Sequence, residues 1–426
     1  MTPEIKQRID KICHGEVPEG YQRTFLGIAP KSWDKSRIDK ICRLSSGSTP
    51  RRDAVENFAG DILWVTSGEL KRRTIEDTRE KISETAVVNS HLEIYDPGTV
   101  VIAIYGLEAA GIRGTVSIIG KQCTISQACM AFTEFKGIDN EFFYYWYLNN
   151  GQVIGLRYAQ GTKQQNLSTD IVGSFPICFP SQGEQQKIAA ILTTQDKVIE
   201  LKEKRLAEKQ RQKKYLMQQL LTGKKRLPGF SGAWKNIKLC EVLSERKEKN
   251  IEQNLRICSV AVQKGVIDQI EHLGRSYAAS DTSNYSVAHY GDIIYTKSPT
   301  GDFLYGIVKQ NLLQETVAVS PLYGVFTPMT FGLGYFLHTY FQSAICAQNY
   351  LLPIVQKGAK NTINITNDTF ISSKLYLPLD VEEQKAIADT FMAADREIDL
   401  LRQDIEQEKQ KKKALMQLLL TGIVRV

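Results

Sequence analysis

Several residue patterns that would indicate a metal-binding or membrane protein are absent from this sequence. The eight cysteines are scattered, mostly beside apolar residues, and no two form a C-x-x-C pair with zinc-like spacing. We therefore expect reduced thiols and a cytoplasmic protein. The five histidines never approach H-x-x-x-H or H-E-x-x-H spacing, so no metal site is expected. We also expect no signal peptide and no membrane span, because no apolar stretch reaches ~18 residues.

Motifs for methyl transfer and nucleotide hydrolysis are also missing. The sequence has no N-P-P-[YF] or D-P-P-Y run for N6-adenine methylation and no G-x-x-x-x-G-K-[ST] phosphate loop. Asp61, Glu69 and Lys71 together resemble the two acidic residues and the E-x-K motif found in many nuclease active sites. So short a pattern arises easily by chance, and the second half of the chain does not repeat it. We expect no catalytic residue, no cofactor and no metal.

Length and composition predict a multidomain protein. The chain has 426 residues, 42% of them hydrophobic, which is enough for two or three domain cores. Its net charge of +7 favours polyanionic partners. Many unrelated enzymes have a similar net charge, so the charge alone does not identify the function.

The chain contains an internal repeat with a period of about half its length. Pro180–Lys187 resembles Pro378–Lys385, and Leu216–Gly223 matches Leu415–Gly422 at seven of eight positions. The separation is 198 residues in the first pair and 199 in the second. Weaker matches relate Gly161–Lys163 to Gly358–Lys360, Asn166–Asp170 to Asn364–Asp368, Ser126–Phe132 to Ser320–Phe326, and Trp33 to Trp234. Each half is therefore expected to be one globular domain followed by one long helix.

The two long helices are the clearest secondary-structure prediction. Ser181–Glu184 has the pattern of a capping box, and Thr222–Gly223 supplies a glycine stop. About 40 residues between these signals correspond to about 60 Å of helix. Heptad positions are apolar near the helix ends and partly polar in the middle, as at Lys202, Lys209 and Lys213. This pattern predicts that the two helices pair as an antiparallel coiled coil.

The globular halves show short β-rich runs separated by turns, which predicts an α+β fold. These runs are Asp61–Thr66, Thr99–Tyr105, Thr115–Ile119 and Asp292–Thr296. The aromatic segment Glu141–Leu148 and its counterpart Tyr335–Phe341 are expected to be helical and to supply core side chains rather than platforms for stacking bases. The expected segments are 1–29 (N-terminal), 30–180 and 226–378 (globular domains), and 181–225 and 379–426 (helices).

Two similar globular domains on a helical spacer suggest a protein that measures a distance on DNA. Recognition modules about one DNA turn apart, ~34–36 Å, enter the same face of the duplex, and a helix of about 60 Å is long enough to hold them. Antiparallel helices would place the domains at opposite ends, related by a pseudo-two-fold axis. Such a protein would read a two-part site.

Candidate DNA-contacting residues lie in loops rich in hydroxyl and basic side chains. The loop Ser45–Arg52 is one candidate, and its alternative is an ordinary surface turn. Basic loops that recur in both halves are candidates for phosphate contacts, and two glycine-bearing loops after strands are either groove contacts or simple hairpin turns. The candidates are Ser45, Ser46, Ser48, Thr49, Arg51, Arg52, Tyr105, Arg113, Thr162, Lys163, Lys297, Thr300, Lys357, Lys360 and Asn361.

Four segments carry a family resemblance. Gly60–Thr66, Pro97–Ala103, Ser126–Cys129 and the twice-repeated Pro-x-x-x-Glu-[Gln/Glu]-Gln-Lys…Leu-Met-Gln-x-Leu-Leu-Thr-Gly resemble the specificity subunits of type I restriction–modification enzymes. The resemblance extends from about Trp33 to the end of the chain.

The resemblance implies a non-catalytic, DNA-binding subunit that acts in DNA methylation and phage defence. Two target-recognition domains would read a bipartite double-stranded site, while the helices set the spacer and dock two N6-adenine methyltransferase subunits. ATP-dependent restriction subunits are optional partners, and S-adenosylmethionine is bound by the methyltransferase. The repeated helix ends, with Leu216, Leu220, Leu415 and Leu419, are the expected docking residues.

Two features of the sequence depart from the repeat, and two alternative functions remain open. The second half has Ser244–Lys249 where the first has the loop around Ser46–Pro50, and the first ~30 residues, expected to pack on the helix pair, have no copy. A single-chain endonuclease using Asp61, Glu69 and Lys71 is the alternative function. A stand-alone DNA-binding regulator is another.

We predict that Lys163→Ala and Lys360→Ala each weaken DNA binding for all sequences, because both lysines are assigned to phosphates. The slope of log K against log salt should decrease by about one in each variant. Fluorescence anisotropy on cognate and scrambled duplexes at several salt concentrations measures both quantities. A changed base preference with an unchanged salt slope would contradict the assignment.

Overall fold

A computed structural model describes residues 2–104, 115–158, 167–275, 278–357 and 363–426 of the chain. The protein divides into two compact units. The first unit contains Met1–Lys202 and Asp404–Val426, and the second contains Glu203–Gln403. Two long helices each pass from one unit to the other.

The first unit is built from short strands, one long aromatic helix and parts of both long helices. Its elements are α1 (Pro3–Cys13), β1 (Tyr21–Thr24), β2 (Gly27–Pro30), β3 (Asp34–Arg37), α2 (Ile38–Ile41), β4 (Arg43–Ser46), β5 (Ile62–Val65), β6 (Thr74–Ile75), β7 (Lys81–Ile82), α3 (Glu84–Asn89), β8 (Val100–Ala103), β9 (Val116–Ile119), β10 (Cys123–Ile125), β11 (Cys129–Thr133), α4 (Asn140–Tyr158), α5 (Thr169–Gly173), β12 (Pro176–Phe179) and α6 (Gln182–Leu220), which continues into the second unit.

The sheets of the first unit are small and mostly antiparallel. A five-stranded sheet has the order β4-β11-β8-β9-β6, in which only β6 and β9 run parallel. A three-stranded sheet has the order β10-β5-β7, with β10 parallel to β5. The pairs β1-β2 and β3-β12 are antiparallel.

The second unit has a comparable set of elements. They are β13 (Lys235–Lys238), β14 (Leu243–Glu245), β15 (Arg256–Ala261), β16 (Gly265–Asp268), α7 (Gln269–Leu273), β17 (Ser286–Ala288), β18 (Ile293–Tyr295), β19 (Val308–Gln310), β20 (Val317–Val319), β21 (Gly324–Pro328), α8 (Phe331–Tyr340), α9 (Ala344–Leu351), β22 (Gln356–Lys357), β23 (Ile363–Asn364), α10 (Asn367–Ser372), β24 (Lys374–Leu377) and α11 (Val381–Leu419), which continues into the first unit.

The strand orders of the two units confirm the duplication predicted from sequence. The antiparallel order β14-β21-β18-β19 corresponds to β4-β11-β8-β9, and the parallel pair β15-β20 corresponds to β5-β10. The pair β13-β24 corresponds to β3-β12. The fold class is α+β, as predicted, and the predicted strands and the aromatic helix are present as β5, β8, β9, β18 and α4.

Each core joins the beginning of one long helix to the end of the other. In the first unit, Ile188 and Leu192 of α6 share a core with Met416 and Leu419 of α11, together with the aromatic side chains of α4. In the second unit, the core contains Ile387 and Phe391 of α11 and Leu220 of α6. Burying each such side chain stabilises the fold by about 1.5–3 kcal/mol, so the helix pair and the globular domains stabilise one another.

An arginine after each helix forms an ion pair with a glutamate in the first turn of the other helix. In the first unit, Arg425 donates through Nε and Nη2 to the two Glu184 oxygens, both at 2.6 Å. The Glu184 carboxylate of the Ser181–Glu184 pattern therefore binds Arg425, and among the described residues no capping-box hydrogen bond joins Ser181 to Glu184. The Arg425 guanidinium also lies 6.0 Å from the Trp33 ring.

The second unit repeats this ion pair. Arg226 donates through Nε and Nη2 to Glu383, a residue that is 1% exposed. Trp234 donates its indole N–H to the same carboxylate at 3.0 Å. Each arginine follows a glycine stop in the left-handed region, with φ of 69° at Gly223 and 68° at Gly422. The glycine stops predicted from the sequence are therefore confirmed.

Charged pairs occupy the middle of the two long helices. In the first unit, Lys202 lies 2.8 Å from both Asp404 and Glu408. In the second unit, Lys209 lies 2.9 Å from Glu397. Such solvent-facing pairs add little stability, so their main effect is on the register of the two helices. The polar heptad positions thus belong to an antiparallel pair, as predicted from the sequence.

The N-terminal segment contacts the end of the chain. Arg8 of α1 donates to the Ile423 carbonyl, and the Tyr21 hydroxyl donates to the Gly422 carbonyl at 2.6 Å. The sequence predicted α1 and its packing near the helix pair but missed the β1-β2 hairpin, which has no copy among the described residues of the second unit. Within the part of the chain that the structure describes, no helix is long and apolar enough to cross a membrane.

We predict that Arg226→Met lowers the free energy of unfolding by about 3 kcal/mol, because it leaves the buried Glu383 carboxylate without a cation. Urea denaturation followed by circular dichroism measures the change. Arg402→Met is the matched control, since Arg402 pairs with Asp399 on the surface of α11 and its loss should cost less than about 0.5 kcal/mol. Equal losses in the two variants would contradict the role assigned to Arg226.

Candidate nucleic-acid interface

The loop that follows β4 in the first unit is pinned to the backbone beside β10 and β11. Gly47 N–H donates to Cys129 O at 3.3 Å, and Ser48 N–H donates to Ile125 O at 3.2 Å. A Cβ atom at position 47 would lie 1.9 Å from the Ile125 carbonyl oxygen, so the close approach requires glycine. The backbone of this candidate loop is therefore held in one place by the strands beneath it.

Two of the four hydroxyls of the loop, those of Ser45 and Thr49, have hydrogen-bond partners inside the unit. The Ser45 hydroxyl lies 2.9 Å from the Tyr95 hydroxyl, and the Thr49 hydroxyl donates to the Gln127 amide oxygen. The Ser48 carbonyl accepts a hydrogen bond from the Trp64 indole at 3.2 Å. Ser46 is exposed. Among these residues, Ser46 has the side chain best placed to meet an external ligand.

The two arginines of this loop differ in how strongly the protein holds their side chains. Arg51 pairs with Asp53 at 2.7 Å, and its side chain is 82% exposed. Arg52 donates to both oxygens of Glu80 and lies over the rings of Phe58 and Trp64, at 4.7 and 5.2 Å from their centroids. Hydrogen bonding to Arg52 lowers the pKa of the Glu80 carboxyl. Arg51 is thus the more available cation, whereas Arg52 is oriented by a carboxylate and two rings.

The corresponding loop of the second unit has become part of the unit's own polar network. Arg246, just after β14, donates to both oxygens of Asp292 and to the Thr327 hydroxyl. Asp292 is 2% exposed. Lys249 donates to the Ser286 hydroxyl at 3.1 Å. The departure noted in the sequence therefore has a structural counterpart, because these basic side chains are used internally.

The two glycine-bearing loops occupy equivalent places in the duplicated fold. Lys297 and Thr300 lie in the connection between β18 and β19, and Tyr105 and Arg113 fall in the connection between β8 and β9, outside the described residues. Lys297 has a φ of 59°, and burial lowers the pKa of its ammonium group. The Thr300 N–H donates to Phe303 O at 3.0 Å, which closes a turn.

The structure describes only part of the two basic loops that recur in both halves of the chain. Lys357 lies in β22, whose backbone pairs with β23. Thr162, Lys163, Lys360 and Asn361 lie outside the described residues. The assignment of these loops to phosphate contacts stays a prediction.

The Glu69 carboxylate forms hydrogen bonds with the protein backbone, which the nuclease-like pattern did not predict. It accepts hydrogen bonds from the Thr66 N–H at 2.7 Å and from the Arg79 N–H at 2.6 Å. The contact with Thr66 caps a short helix at 67–69. Within the described residues, no group of three or more His, Cys, Asp or Glu side chains is arranged to hold a metal ion.

The four leucines expected to dock a partner contribute to the cores of the units. Leu220 and Leu419 are buried, and Leu216 and Leu415 are partly buried against the same cores. Their contact with a partner stays a prediction. The sequence patterns did not predict that Arg226 and Arg425 form ion pairs with Glu383 and Glu184, although the two arginines are 199 residues apart, like the leucines around them.

Comparison with known proteins assigns both halves of the chain to one family of domains. The family model of the type I restriction modification DNA specificity domain matches residues 30–211 and again 214–410. The matches meet within two residues of each other and cover most of the chain, so the duplication seen in the fold is also a duplication of this domain.

Individual relatives agree with the family match. The specificity subunit of the type I restriction enzyme MjaIX of Methanocaldococcus jannaschii is 30% identical over 188 residues, which cover 43% of this chain and 42% of that protein. The MjaVIII specificity subunit of the same organism is 22% identical over 428 residues, 93% of this chain and 94% of that protein.

A solved structure shares the fold. The crystal structure of the type I restriction–modification S subunit from M. genitalium superposes with a TM-score of 0.59 at 13% identity, over 91% of this chain and 96% of that one. At this identity the likeness concerns the fold alone.

Proposed function

The chain belongs to the family of type I restriction–modification DNA specificity proteins, and we propose that it reads a two-part DNA sequence for a methyltransferase. Each globular domain recognises one half of the site. The observation that carries the proposal is the duplication, because two matches to one DNA specificity domain coincide with two units of the same strand order. Two domains of one fold with different loops suit a site whose halves have different sequences.

The chain supplies recognition and its partners supply chemistry. The sequence has no methyltransferase or nucleotide-hydrolysis motif. Glu69, which belongs to the nuclease-like pattern, caps a helix. Two N6-adenine methyltransferase subunits would bind S-adenosylmethionine and modify the bases, and ATP-dependent restriction subunits are further partners. The complex works in the cytoplasm, where the DNA is.

DNA recognition in the first domain is assigned to the loop after β4 and the connection between β8 and β9. Arg51 is the most exposed cation of the first loop and suits a phosphate or a guanine edge. In the second domain Arg246, a basic residue of the corresponding loop, is held by Asp292, so recognition there is assigned to the connection that carries Lys297 and Thr300. The different loop use agrees with two different half-sites.

The long helices are assigned to the spacer between the half-sites. Each arginine that forms a terminal ion pair follows the first-turn glutamate of its own helix by the same interval, from Glu184 to Arg226 and from Glu383 to Arg425. Equal intervals let both ion pairs form at once in an antiparallel pair. A change of length in only one helix would break this match, so the two helices must lengthen together.

Reconstitution tests whether the chain recognises DNA without modifying it. We predict that the purified chain alone neither methylates nor cleaves DNA, and that methylation appears on addition of the cognate methyltransferase subunits. Transfer of labelled methyl groups and gel analysis of the DNA, with and without Mg²⁺ and ATP, measure both activities. Cleavage by the chain alone would support the endonuclease alternative, and specific DNA binding that never recruits a methyltransferase would support a regulator.

The length of the helices should set the length of the unread spacer. Four residues add about 6 Å to a helix and nearly restore the orientation of the residues after the insertion, and this length equals about two base pairs. We predict that four residues inserted between Lys202 and Lys209, together with four between Glu397 and Asp404, lengthen the spacer and leave both half-sites unchanged. Methylome sequencing of cells that carry the variant and its methyltransferase measures the site.

Insertion into α6 alone is the matched control. Because the terminal ion pairs require equal intervals, the single insertion should give lower activity than the paired one. Half-sites that change, or a spacer that stays the same in an active complex with both insertions, would contradict the assignment.

A further inference from the structure

A partly buried group of balanced charges lies between α4 and the long helices in the first unit. The Tyr145 hydroxyl donates to Asp196 at 2.6 Å, and Lys412 lies 2.6 Å from the same carboxylate. Arg73 forms an ion pair with Glu141, and its Nε lies 3.9 Å from Asp196. Two cations therefore face two carboxylates, and the group is neutral.

The second unit repeats this group but lacks one carboxylate. Tyr335 donates to Asp395 at 2.9 Å, and Lys213 pairs with that carboxylate. In the first unit, Glu141 lies four residues before Tyr145. The residue four positions before Tyr335 is Phe331, which carries no charge. A second cation, Lys309, comes from β19. Two cations thus face one carboxylate.

Lys309 is the uncompensated charge. The residue is 3% exposed, and among the described residues its ammonium group makes no hydrogen bond and no ion pair. Burial and the nearby Lys213 lower its pKa to about 8, so the group is mostly protonated at pH 7. A buried cation without a partner is costly. Burial also keeps the pKa of the neighbouring His338 well below its ordinary value, so this imidazole is neutral.

Lys309 lines a cavity of about 390 Å³ inside the second unit. The wall includes Lys213, Tyr335, His338 and Asp395, with Lys264 and Arg402 among the outer residues. Arg402 is paired with Asp399 at 3.0 Å, and Lys213 is paired with Asp395, which leaves Lys309 as the buried cation free to bind a ligand. The volume falls in the range of small-molecule sites, ~300–1,000 Å³.

We propose that this cavity binds a small carboxylate- or phosphate-bearing anion through Lys309, and that the anion completes the charge group as Glu141 does in the first unit. The Tyr335 and Lys213 contacts hold the wall in place, and Lys309 provides the charge-assisted hydrogen bond. The ligand would link β19 to α8 and the helix pair, all within the second unit. The proposal does not depend on DNA reading.

Calorimetric titration of the full chain with succinate and with inorganic phosphate tests the site. At least one of the two anions should bind with a Kd of about 1 mM or lower. Lys309→Met should weaken this binding at least tenfold, because it removes the charge and keeps the shape of the side chain. Lys264→Met, an exposed lysine of the same cavity, is the matched control and should change the Kd less than threefold. Binding of neither anion to the wild-type chain, or equal binding to Lys309→Met, would overturn the proposal.

Thermal unfolding supplies a second readout. Without the anion, Lys309→Met should have a Tm at least as high as the wild-type chain, since the variant no longer buries an unpaired cation. With the anion, only the wild-type Tm should rise. A rise of the same size in both proteins would overturn the proposal.

The pH dependence of succinate binding needs no variant. The Kd should increase between pH 7 and pH 9 as Lys309, with a pKa of about 8, loses its proton. Succinate carboxylates stay ionised over this range, and burial raises the pKa of Tyr335 above it. The other charged or titratable groups facing the cavity are Lys213, Lys264, His338, Asp395, Asp399 and Arg402. A Kd that does not change with pH would contradict the role of Lys309.

Discussion

The structure depends on two ion pairs with buried carboxylates, which tie the end of each long helix to the first turn of the other. Glu184 and Glu383 are 7% and 1% exposed, so each carboxylate requires its arginine. The glycine stops let the chain turn at once after each helix and bring Arg425 and Arg226 back toward these carboxylates. Pairing, register and helix length are therefore fixed together.

This constraint explains why the core of each unit uses both helices. The first unit closes with Met416 and Leu419, which come from the far end of the chain, and the second closes with Leu220 from the first helix. Neither globular domain has a complete core without a helix that the other half begins. A chain built in this way can vary its loops freely, because the loops take no part in the helix pairing.

The two halves have diverged mainly where polar groups meet. Arg51 is exposed in the first unit, whereas the second unit binds Arg246 to the buried Asp292. Near the long helices, Glu141 balances Arg73 in the first unit, whereas Lys309 faces a cavity in the second. The apolar framework tolerates these exchanges, since a polar side chain needs only a local partner, in the protein or in a ligand.

The duplication, the two long helices with their glycine stops, the antiparallel pairing and the α+β class could all be predicted from the sequence. These features depend on local signals, such as Gly223 and Gly422, or on a repeat that can be read along one line. The folded chain was needed to learn how the loop arginines are held, since Arg51 pairs with Asp53 and stays largely exposed, whereas Arg52 is oriented by Glu80. It was also needed for the long-range pairs, such as Arg226 with Glu383, and for the unpaired Lys309. Contacts between residues far apart in sequence have no local pattern, so only folding brings them together.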